Sequence, residues 1–153
     1  MYFKSLDDTE GFFPLSENFH ENGILKKTSA PAYLDSKIEL DLKTKAKRLA
    51  QNLNFYGVLA FELFELLDGR IVFNEIAPRP HNSFHWTIEG CKTSQFQQLI
   101  RSLSGLPFGD ISVIGRWHMR NILGHSKEEL KRGYKSAGTV SYTHLTLPTS
   151  YAV

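Results

Sequence analysis

The chain of 153 residues is long enough for one domain with a hydrophobic core, and its 41% apolar and 22% charged residues are typical of globular proteins. A formal net charge of +2 is too small to indicate a nucleic-acid partner. No window approaches the roughly 18 apolar residues that a membrane helix needs. With one cysteine, Cys91, and no secretory signal after Met1, the sequence predicts a cytoplasmic protein without an internal disulfide.

The amino-terminal part of the chain predicts β structure followed by a long helix. Short apolar runs alternate there with polar turns, such as the one at 21–23. A helix is predicted over 36–53. Ser36 and Glu39 match a capping box, in which each side chain satisfies a free backbone N–H group at the start of a helix.

The strongest local signal is a β-hairpin in the middle of the chain. Two runs rich in β-forming residues, at 58–67 and 70–76, are separated only by Asp68-Gly69. Both residues tolerate the positive φ angles of a two-residue turn, which sets the register of the hairpin. In that register Glu62 lies directly opposite Glu75 on the same side of the sheet, with Cβ atoms about 4.5–5.5 Å apart.

Two acidic side chains in direct opposition destabilise a strand pair unless something compensates their charge. The same register pairs Phe64 with Phe73, so Glu62 shares its face of the strand with apolar side chains, which favours a functional pair. Compensation would come from a shared proton, a nearby Lys or Arg, or a hard divalent cation such as Mg²⁺. A solvent-facing Glu62, or a one-residue bulge that breaks the register, is the alternative.

A stiff polar loop follows the second acid, because two prolines fix φ angles within it. Its polar side chains suit an anionic ligand held beside the metal. An ordinary surface loop is one alternative. A zinc site made by His81 and His85 is another, although a third ligand is not evident. The polar side chains of the loop are Arg79, His81, Asn82, Ser83 and His85.

The carboxy-terminal part predicts a second helix and less regular structure beyond it. Ser94 and Gln97 match a capping box, and the helix is expected to end at Gly105. A strand is predicted over 111–123, followed by a short helix over 126–132. The segment 126–153 is predicted to be a truncated or non-native tail. The second helix is expected to bury Phe96, Leu99, Ile100 and Leu103.

One continuous segment of the chain resembles a known family. The residues from Asn74 to Ser83 read Asn-Glu-Ile-Ala-Pro-Arg-Pro-His-Asn-Ser, and after Phe84 they continue as His-Trp-Thr. This segment closely resembles the signature of the 5-(carboxyamino)imidazole ribonucleotide synthases, which are ATP-grasp enzymes. Phe84 departs from the family pattern, which has glycine there. The resemblance covers about residues 2–124 and includes further matches at 14–32, 57–62, 93–96 and 105–107.

The resemblance implies an α+β fold of the ATP-grasp type. Residues 1–125 would form the carboxy-terminal half of the grasp domain, with an antiparallel sheet and flanking helices. The implied activity is the ATP- and bicarbonate-dependent carboxylation of aminoimidazole ribonucleotide, with Mg²⁺, in de novo purine biosynthesis. The full-length parent would be a homodimer. Because the lysine-bearing strands that clamp adenine would precede residue 1, this fragment is expected to be inactive alone.

The resemblance also implies roles for individual residues. Glu62 and Glu75 would hold Mg²⁺, and His20 and Asn74, together with Glu75, would contact ATP. Arg79 would be the catalytic residue. The substrate-binding residues would be Arg79, His81, Asn82 and Ser83.

Two further interpretations follow from the same residues. Another ATP-grasp carboxylase would share the acid pair but not the loop at 78–83. A non-catalytic α+β binding module would retain the fold without the reaction. Phe84 favours this second interpretation, because its ring is expected to crowd the substrate pocket.

Overall fold

A computed structural model describes residues 1–122 of the chain, and the helix predicted over 126–132 and the tail lie outside the described residues. The strands are β1 (Tyr2–Lys4), β2 (Glu10–Phe12), β3 (Glu17–Glu21), β4 (Ile24–Ala30), β5 (Gly57–Glu65), β6 (Ile71–Ala77) and β7 (Trp117–Arg120). The helices are α1 (Ser36–Asn52), α2 (Thr87–Gly90) and α3 (Gln95–Leu103), with a 3₁₀ turn at Asn82–Phe84.

The strands form two sheets in which every pairing is antiparallel. The first has the order β2-β1-β5-β6, and the second has the order β3-β4-β7. Helices accompany these sheets, so the predicted α+β class with antiparallel sheets is confirmed. None of the helices within residues 1–122 is long and apolar enough to cross a membrane.

The hydrophobic core lies on both faces of the first sheet, because successive residues of a strand point to opposite sides. Phe3 and Val58 contribute to one cluster, which also contains Phe84 and Trp86. Tyr2 and Leu59 contribute to the other cluster, on which Ala50 of α1 packs.

The ring of Phe84 is part of this core. It is 5% exposed, and its centroid lies 6.2 Å from that of Phe13 and 6.4 Å from that of Trp86. The expectation that this ring crowds a ligand pocket is therefore wrong. Burial of an aromatic ring gives the position a structural reason to carry phenylalanine.

Truncation of the core is expected to be costly at the centre of β5. Leu59 is 2% exposed, so Leu59→Ala should leave a cavity and lower the free energy of unfolding by about 2–5 kcal/mol. Leu40 on α1 is 67% exposed, and Leu40→Ala should change the free energy of unfolding by less than about 0.5 kcal/mol. The urea unfolding midpoints of the two variants measure the difference. Equal midpoints would contradict this view of the core.

The first helix begins where the sequence predicts, but a different residue caps it. The Asp35 carboxylate accepts hydrogen bonds from the backbone N–H groups of Lys37 at 2.9 Å and Ile38 at 3.3 Å. Ser36 is the first helical residue, so the predicted Ser36–Glu39 capping box is wrong. Asp and Ser are comparably good caps, and the sequence offers both in succession.

Helix α3 has the predicted cap, and Leu99 packs against the core as predicted, but only part of the predicted apolar stripe is buried. The Ser94–Gln97 capping box is confirmed. However, Ile100 is 60% exposed and Leu103 is 53% exposed, so the prediction that both are buried is wrong. The helix instead completely buries polar side chains, which bind backbone groups of neighbouring loops. These buried residues are Gln95, Gln98 and Ser102.

The strand predicted over 111–123 is shorter in the structure. Only Trp117–Arg120 forms a strand, which pairs with β4. Gly115 has a φ angle of +80°, which interrupts an extended conformation. Before it, Val113 forms an isolated bridge with Cys91.

Candidate functional site

The hairpin places Glu62 opposite Glu75, as predicted, but its turn and its register differ from the predicted ones. The turn has three residues instead of two, since the Leu66 N–H donates to the Arg70 carbonyl at 2.9 Å. This shifts the register by one residue. A bulge between Glu62 and Leu63 then shifts it back. The Glu62–Glu75 pair is confirmed because the two shifts cancel.

Between those two shifts the predicted register is wrong. Phe64 lies opposite Val72, and Phe73 lies opposite Leu63. The three-residue loop ends at Gly69, whose φ angle of +80° is typical of the left-handed residue that closes such a turn. The register error therefore affects only the tip of the hairpin and leaves the acid pair in place.

The bulge brings a third polar side chain to the acid pair. Asn74 is the extra residue, and its Nδ2 donates to Glu62 Oε2 at 3.2 Å. A second bulge, between Phe19 and His20 in the pairing of β3 with β4, lies beside the same group. His20 Nε2 is 3.4 Å from Glu62 Oε1. Both irregularities redirect side chains toward one carboxylate, which is a common use of bulges near functional sites.

Glu62 is nearly buried, with 9% of its surface exposed, whereas the Glu75 side chain is 47% exposed. A buried carboxylate needs hydrogen-bond donors to offset its lost hydration. Asn18 and Asn74 donate to Glu62 through their side-chain amides, and His20 Nε2 lies 3.4 Å from Glu62 Oε1. Glu75 therefore provides the solvent-exposed carboxyl group of the pair.

Asn18 is a site residue that sequence reasoning missed. Its Nδ2 donates to Glu62 Oε1 at 3.3 Å, and the Thr28 hydroxyl donates to its Oδ1 at 2.9 Å. Thr28 therefore fixes which end of the amide faces the acid. The available signal was alternation along β3, because Asn18 lies two residues before His20 and so shares its face.

His81 joins the acid pair to the polar loop. Its Nε2 is 2.8 Å from Glu75 Oε1, and its Nδ1 is 2.8 Å from the Ser83 hydroxyl. The Ser83 backbone N–H also donates to Nδ1 at 3.4 Å, which assigns Nδ1 as an acceptor and places the imidazole proton on Nε2. His81 thus donates to Glu75 and links it to Ser83.

One group of side chains within residues 1–122 can converge on a metal ion. Glu62, Glu75 and His81 each offer a ligand atom, and these atoms lie within 4.8 Å of one another. The predicted alternative of a zinc site from His81 and His85 does not fit this arrangement. The His85 ring stacks on Phe96 with centroids 5.7 Å apart, and its Nε2 is buried.

The remaining predicted residues lie on the same loop. Arg79 is half-buried, and its Nη1 donates to the Pro80 carbonyl at 3.0 Å, so the guanidinium is held against its own loop. Asn82 begins the 3₁₀ turn. The structure therefore places the other predicted side chains, with Asn18, in two hydrogen-bonded groups that meet at the Glu62–Glu75 pair. These residues are His20, Glu62, Asn74, Glu75, His81 and Ser83.

The half-buried His85 gives a specific pH dependence of stability. Burial, with a smaller contribution from nearby His81, lowers the pKa of His85 from 6.5 to about 4. In the unfolded chain His85 binds a proton near pH 6.5, whereas in the folded chain it does so only near pH 4. This contribution to stability is therefore complete above pH 6.5, and it is lost progressively as the pH falls to about 4.

Replacing His85 with Phe should keep the stacking on Phe96 and remove this dependence. Between pH 7.5 and pH 4, the protein with His85 should lose about 1–2 kcal/mol of unfolding free energy relative to His85→Phe, because solvent at the partly exposed ring reduces the full effect of the pKa shift. Urea unfolding of both proteins at several pH values measures the difference. Parallel stability curves would mean that His85 titrates normally in the folded protein.

Known proteins resemble this chain in sequence and in fold over most of the described residues. Residues 1–96 match the family model of the ATP-grasp domain. An N5-carboxyaminoimidazole ribonucleotide synthase of Bacillus subtilis (strain 168) is 42% identical over 121 residues, which cover 79% of this chain and 32% of that protein.

Two solved structures are similar in fold as well as in sequence. An ADP complex of an N5-carboxyaminoimidazole ribonucleotide synthetase is 40% identical, with a TM-score of 0.79, over 88% of this chain and 36% of that one. An N5-carboxyaminoimidazole synthase from Aspergillus clavatus, in complex with ADP and 5-aminoimidazole ribonucleotide, is 33% identical, with a TM-score of 0.70. That match covers 88% of this chain and 37% of that one. The chain thus spans about a third of the length of these proteins.

Proposed function

The chain belongs to the ATP-grasp family, and we propose that it forms part of the active site of an N5-carboxyaminoimidazole ribonucleotide synthase. The observation that carries the proposal is the acid pair Glu62–Glu75, whose ligand atoms lie within 4.8 Å of His81, together with the hydrogen bonds that link His81 to Glu75 and to Ser83. These contacts join a candidate metal site to the loop that resembles those synthases. Another ATP-grasp carboxylase would retain the acids without this loop, so the loop favours the synthase.

We propose the same domain organisation that the sequence predicts. Residues 1–125 would be the carboxy-terminal half of the grasp domain, and 126–153 a truncated or non-native tail. The full-length parent, meaning the gene product that contains these residues, would be a cytoplasmic homodimer. The lysines that clamp adenine would come from outside this segment, so the segment alone is expected to lack activity.

The donor set fits Mg²⁺, which prefers carboxylate oxygens together with substrate phosphates. Glu62 and Glu75 present carboxyl groups across two paired strands, and Glu62 is held by the amides of Asn18 and Asn74, with His20 Nε2 3.4 Å away. When bound there, Mg²⁺ would neutralise charge on the phosphates of ATP. His20 and Asn74, together with Glu75, would contact the nucleotide.

The loop would bind the other two substrates. Arg79, with His81, Asn82 and Ser83, would hold bicarbonate and the imidazole ribonucleotide beside the γ-phosphate. A bicarbonate oxygen attacks the γ-phosphorus and displaces ADP, giving carboxyphosphate. The exocyclic amine of the ribonucleotide then attacks the carboxyl carbon, and phosphate leaves as the amine loses a proton.

The residues of this chain would contribute orientation and charge rather than a covalent intermediate. Arg79 is placed to offset negative charge on carboxyphosphate, as donors do in other acyl- and phosphoryl-transfer sites. The His81 proton on Nε2 is held by Glu75, which fixes the imidazole. Positioning of three reactants in one site supplies much of the rate enhancement.

Phosphate release by the full-length parent tests the proposal. Release should require ATP, Mg²⁺, bicarbonate and aminoimidazole ribonucleotide together, and omission of any one should reduce it to background. Release that needs ATP and a different acceptor would favour another ATP-grasp ligase. Binding of ADP without turnover under any of these conditions would favour a non-catalytic binding module.

A further inference from the structure

Gln95, the first residue of α3, holds the backbone of His81 through a pair of hydrogen bonds. The His81 N–H donates to Gln95 Oε1 at 2.8 Å, and Gln95 Nε2 donates to the His81 carbonyl at 3.0 Å. The Gln95 side chain is completely buried. Both ends of one buried amide are therefore used to hold a single residue of the polar loop.

The same residue also anchors the far end of that loop. The Gln95 backbone N–H donates to Thr87 Oγ1 at 3.0 Å, and the Thr87 hydroxyl donates to the Phe84 carbonyl at 2.6 Å. Thr87 is also completely buried. The start of α3 thus holds the loop at both of its ends, on either side of Asn82 and Ser83.

We propose that Gln95 is a positioning residue of the carboxylation site. By fixing the His81 backbone, it sets the imidazole between Glu75 and Ser83, where both contacts are 2.8 Å. This inference rests on the proposed function, in which the loop binds bicarbonate and the ribonucleotide. Gln95 itself contacts none of the residues assigned to the nucleotide, so we expect it to act mainly on these two substrates.

Gln98 provides a matched control on the same helix. It is completely buried like Gln95, and its Oε1 accepts a hydrogen bond from the Gly109 N–H at 3.1 Å. Its Nε2 is buried without a hydrogen-bond partner among the described residues. Gln98→Glu therefore removes no donated hydrogen bond, whereas Gln95→Glu removes the one to the His81 carbonyl.

The test compares Gln95→Glu, Gln95→Met and Gln98→Glu in the full-length parent. At pH 8, both Gln95 variants should lower kcat/KM for bicarbonate and for the ribonucleotide by about 10- to 100-fold, because displaced reacting groups cost that much. Affinity for ADP should stay within about twofold of the parent, since the nucleotide contacts are untouched. Gln98→Glu should stay within about threefold in both measurements.

A pH series distinguishes positioning from packing. The buried carboxyl introduced by Gln95→Glu should have a raised pKa, and its protonated form can donate to the His81 carbonyl while accepting from the His81 N–H. Its kcat/KM relative to the parent should therefore recover as the pH falls from 8.5 to 6.5. Gln95→Met has no such group, so its relative kcat/KM should stay low throughout.

Hydrogen exchange of the His81 amide gives a readout that does not depend on activity. Gln95→Met, which removes the acceptor of the His81 N–H, should exchange this amide at least about tenfold faster than Gln98→Glu at pH 8, because a local hydrogen bond controls local opening. Slow exchange in Gln95→Met, or equal kcat/KM in Gln95→Met and the parent, would overturn the proposal. Parallel losses of ADP affinity and kcat/KM would also overturn it.

An inactive parent would count against the proposed function and not against the role of Gln95 in ordering the loop. The exchange contrast between the Gln95 and Gln98 variants would still decide whether Gln95 orders the His81 backbone. An active parent whose Gln95 and Gln98 variants behave alike would overturn the positioning role alone.

Discussion

Glu62→Gln in the full-length parent is expected to lower kcat for phosphate release by at least about 100-fold, because loss of one metal-binding carboxylate removes several kcal/mol of charge stabilisation. The new amide nitrogen would also face the donor group of either Asn18 or Asn74, which now meet separate carboxylate oxygens at 3.3 and 3.2 Å. The measurement is steady-state phosphate release over a range of Mg²⁺ concentrations. Raising Mg²⁺ should restore only part of the rate.

Glu65→Gln is the matched control for this variant. Glu65 lies on the same strand, three residues farther along, and is exposed. Its replacement removes one negative charge without touching the acid pair, so kcat should stay within about twofold. Equal losses in the two variants would show that net charge, and not the acid pair, controls the rate.

Arg79→Lys is the second change with a large expected effect. It keeps the positive charge but loses the planar set of donors that matches a carboxylate or phosphate. Loss of such a donor group from a site that stabilises developing charge lowers kcat by about 100- to 1,000-fold. The Arg79 backbone lies between two prolines and its Nη1 is held by the Pro80 carbonyl, so the more flexible Lys cannot reproduce its position.

Arg70→Lys makes the same substitution at the tip of the hairpin. Arg70 is exposed and pairs with Asp68 at 2.8 Å, far along β6 from the acid pair. Arg70→Lys should change kcat by less than about twofold, since exposed ion pairs contribute little. Bicarbonate-dependent phosphate release is measured in both variants. A loss in Arg79→Lys but not in Arg70→Lys shows that the position of the arginine matters, and not the change from Arg to Lys by itself. An Arg79→Lys enzyme with the kcat of the parent would remove Arg79 from the mechanism.

The acid pair could be predicted from sequence, although the detailed register could not. Asp68-Gly69 predicts a two-residue turn from local preferences alone. The turn actually has three residues, and the bulge at Asn74 restores the pairing of Glu62 with Glu75. A bulge depends on packing and on long-range hydrogen bonds, such as the one from Asn74 to Glu62, which local preferences do not contain.

The polar loop was predicted as a unit because its residues are contiguous in the chain. The residues that support it are distant in sequence, which explains why they were missed. Asn18 reaches Glu62 across 44 positions, and Gln95 reaches His81 across 14. For α3, the apolar periodicity was right for Leu99, which packs against the core, but wrong for Ile100 and Leu103, which are exposed. Its polar face is buried because Gln95 and Gln98 satisfy loop backbone groups that would otherwise lack partners.

The most direct test of the central claim follows oxygen from bicarbonate. The full-length parent would be incubated briefly with ATP, Mg²⁺, aminoimidazole ribonucleotide and bicarbonate labelled with ¹⁸O, and the released phosphate examined by mass spectrometry. The proposed reaction predicts that each released phosphate carries one oxygen from bicarbonate and that the ribonucleotide amine becomes carboxylated. Unlabelled phosphate, formed whether or not the ribonucleotide is present, would contradict it.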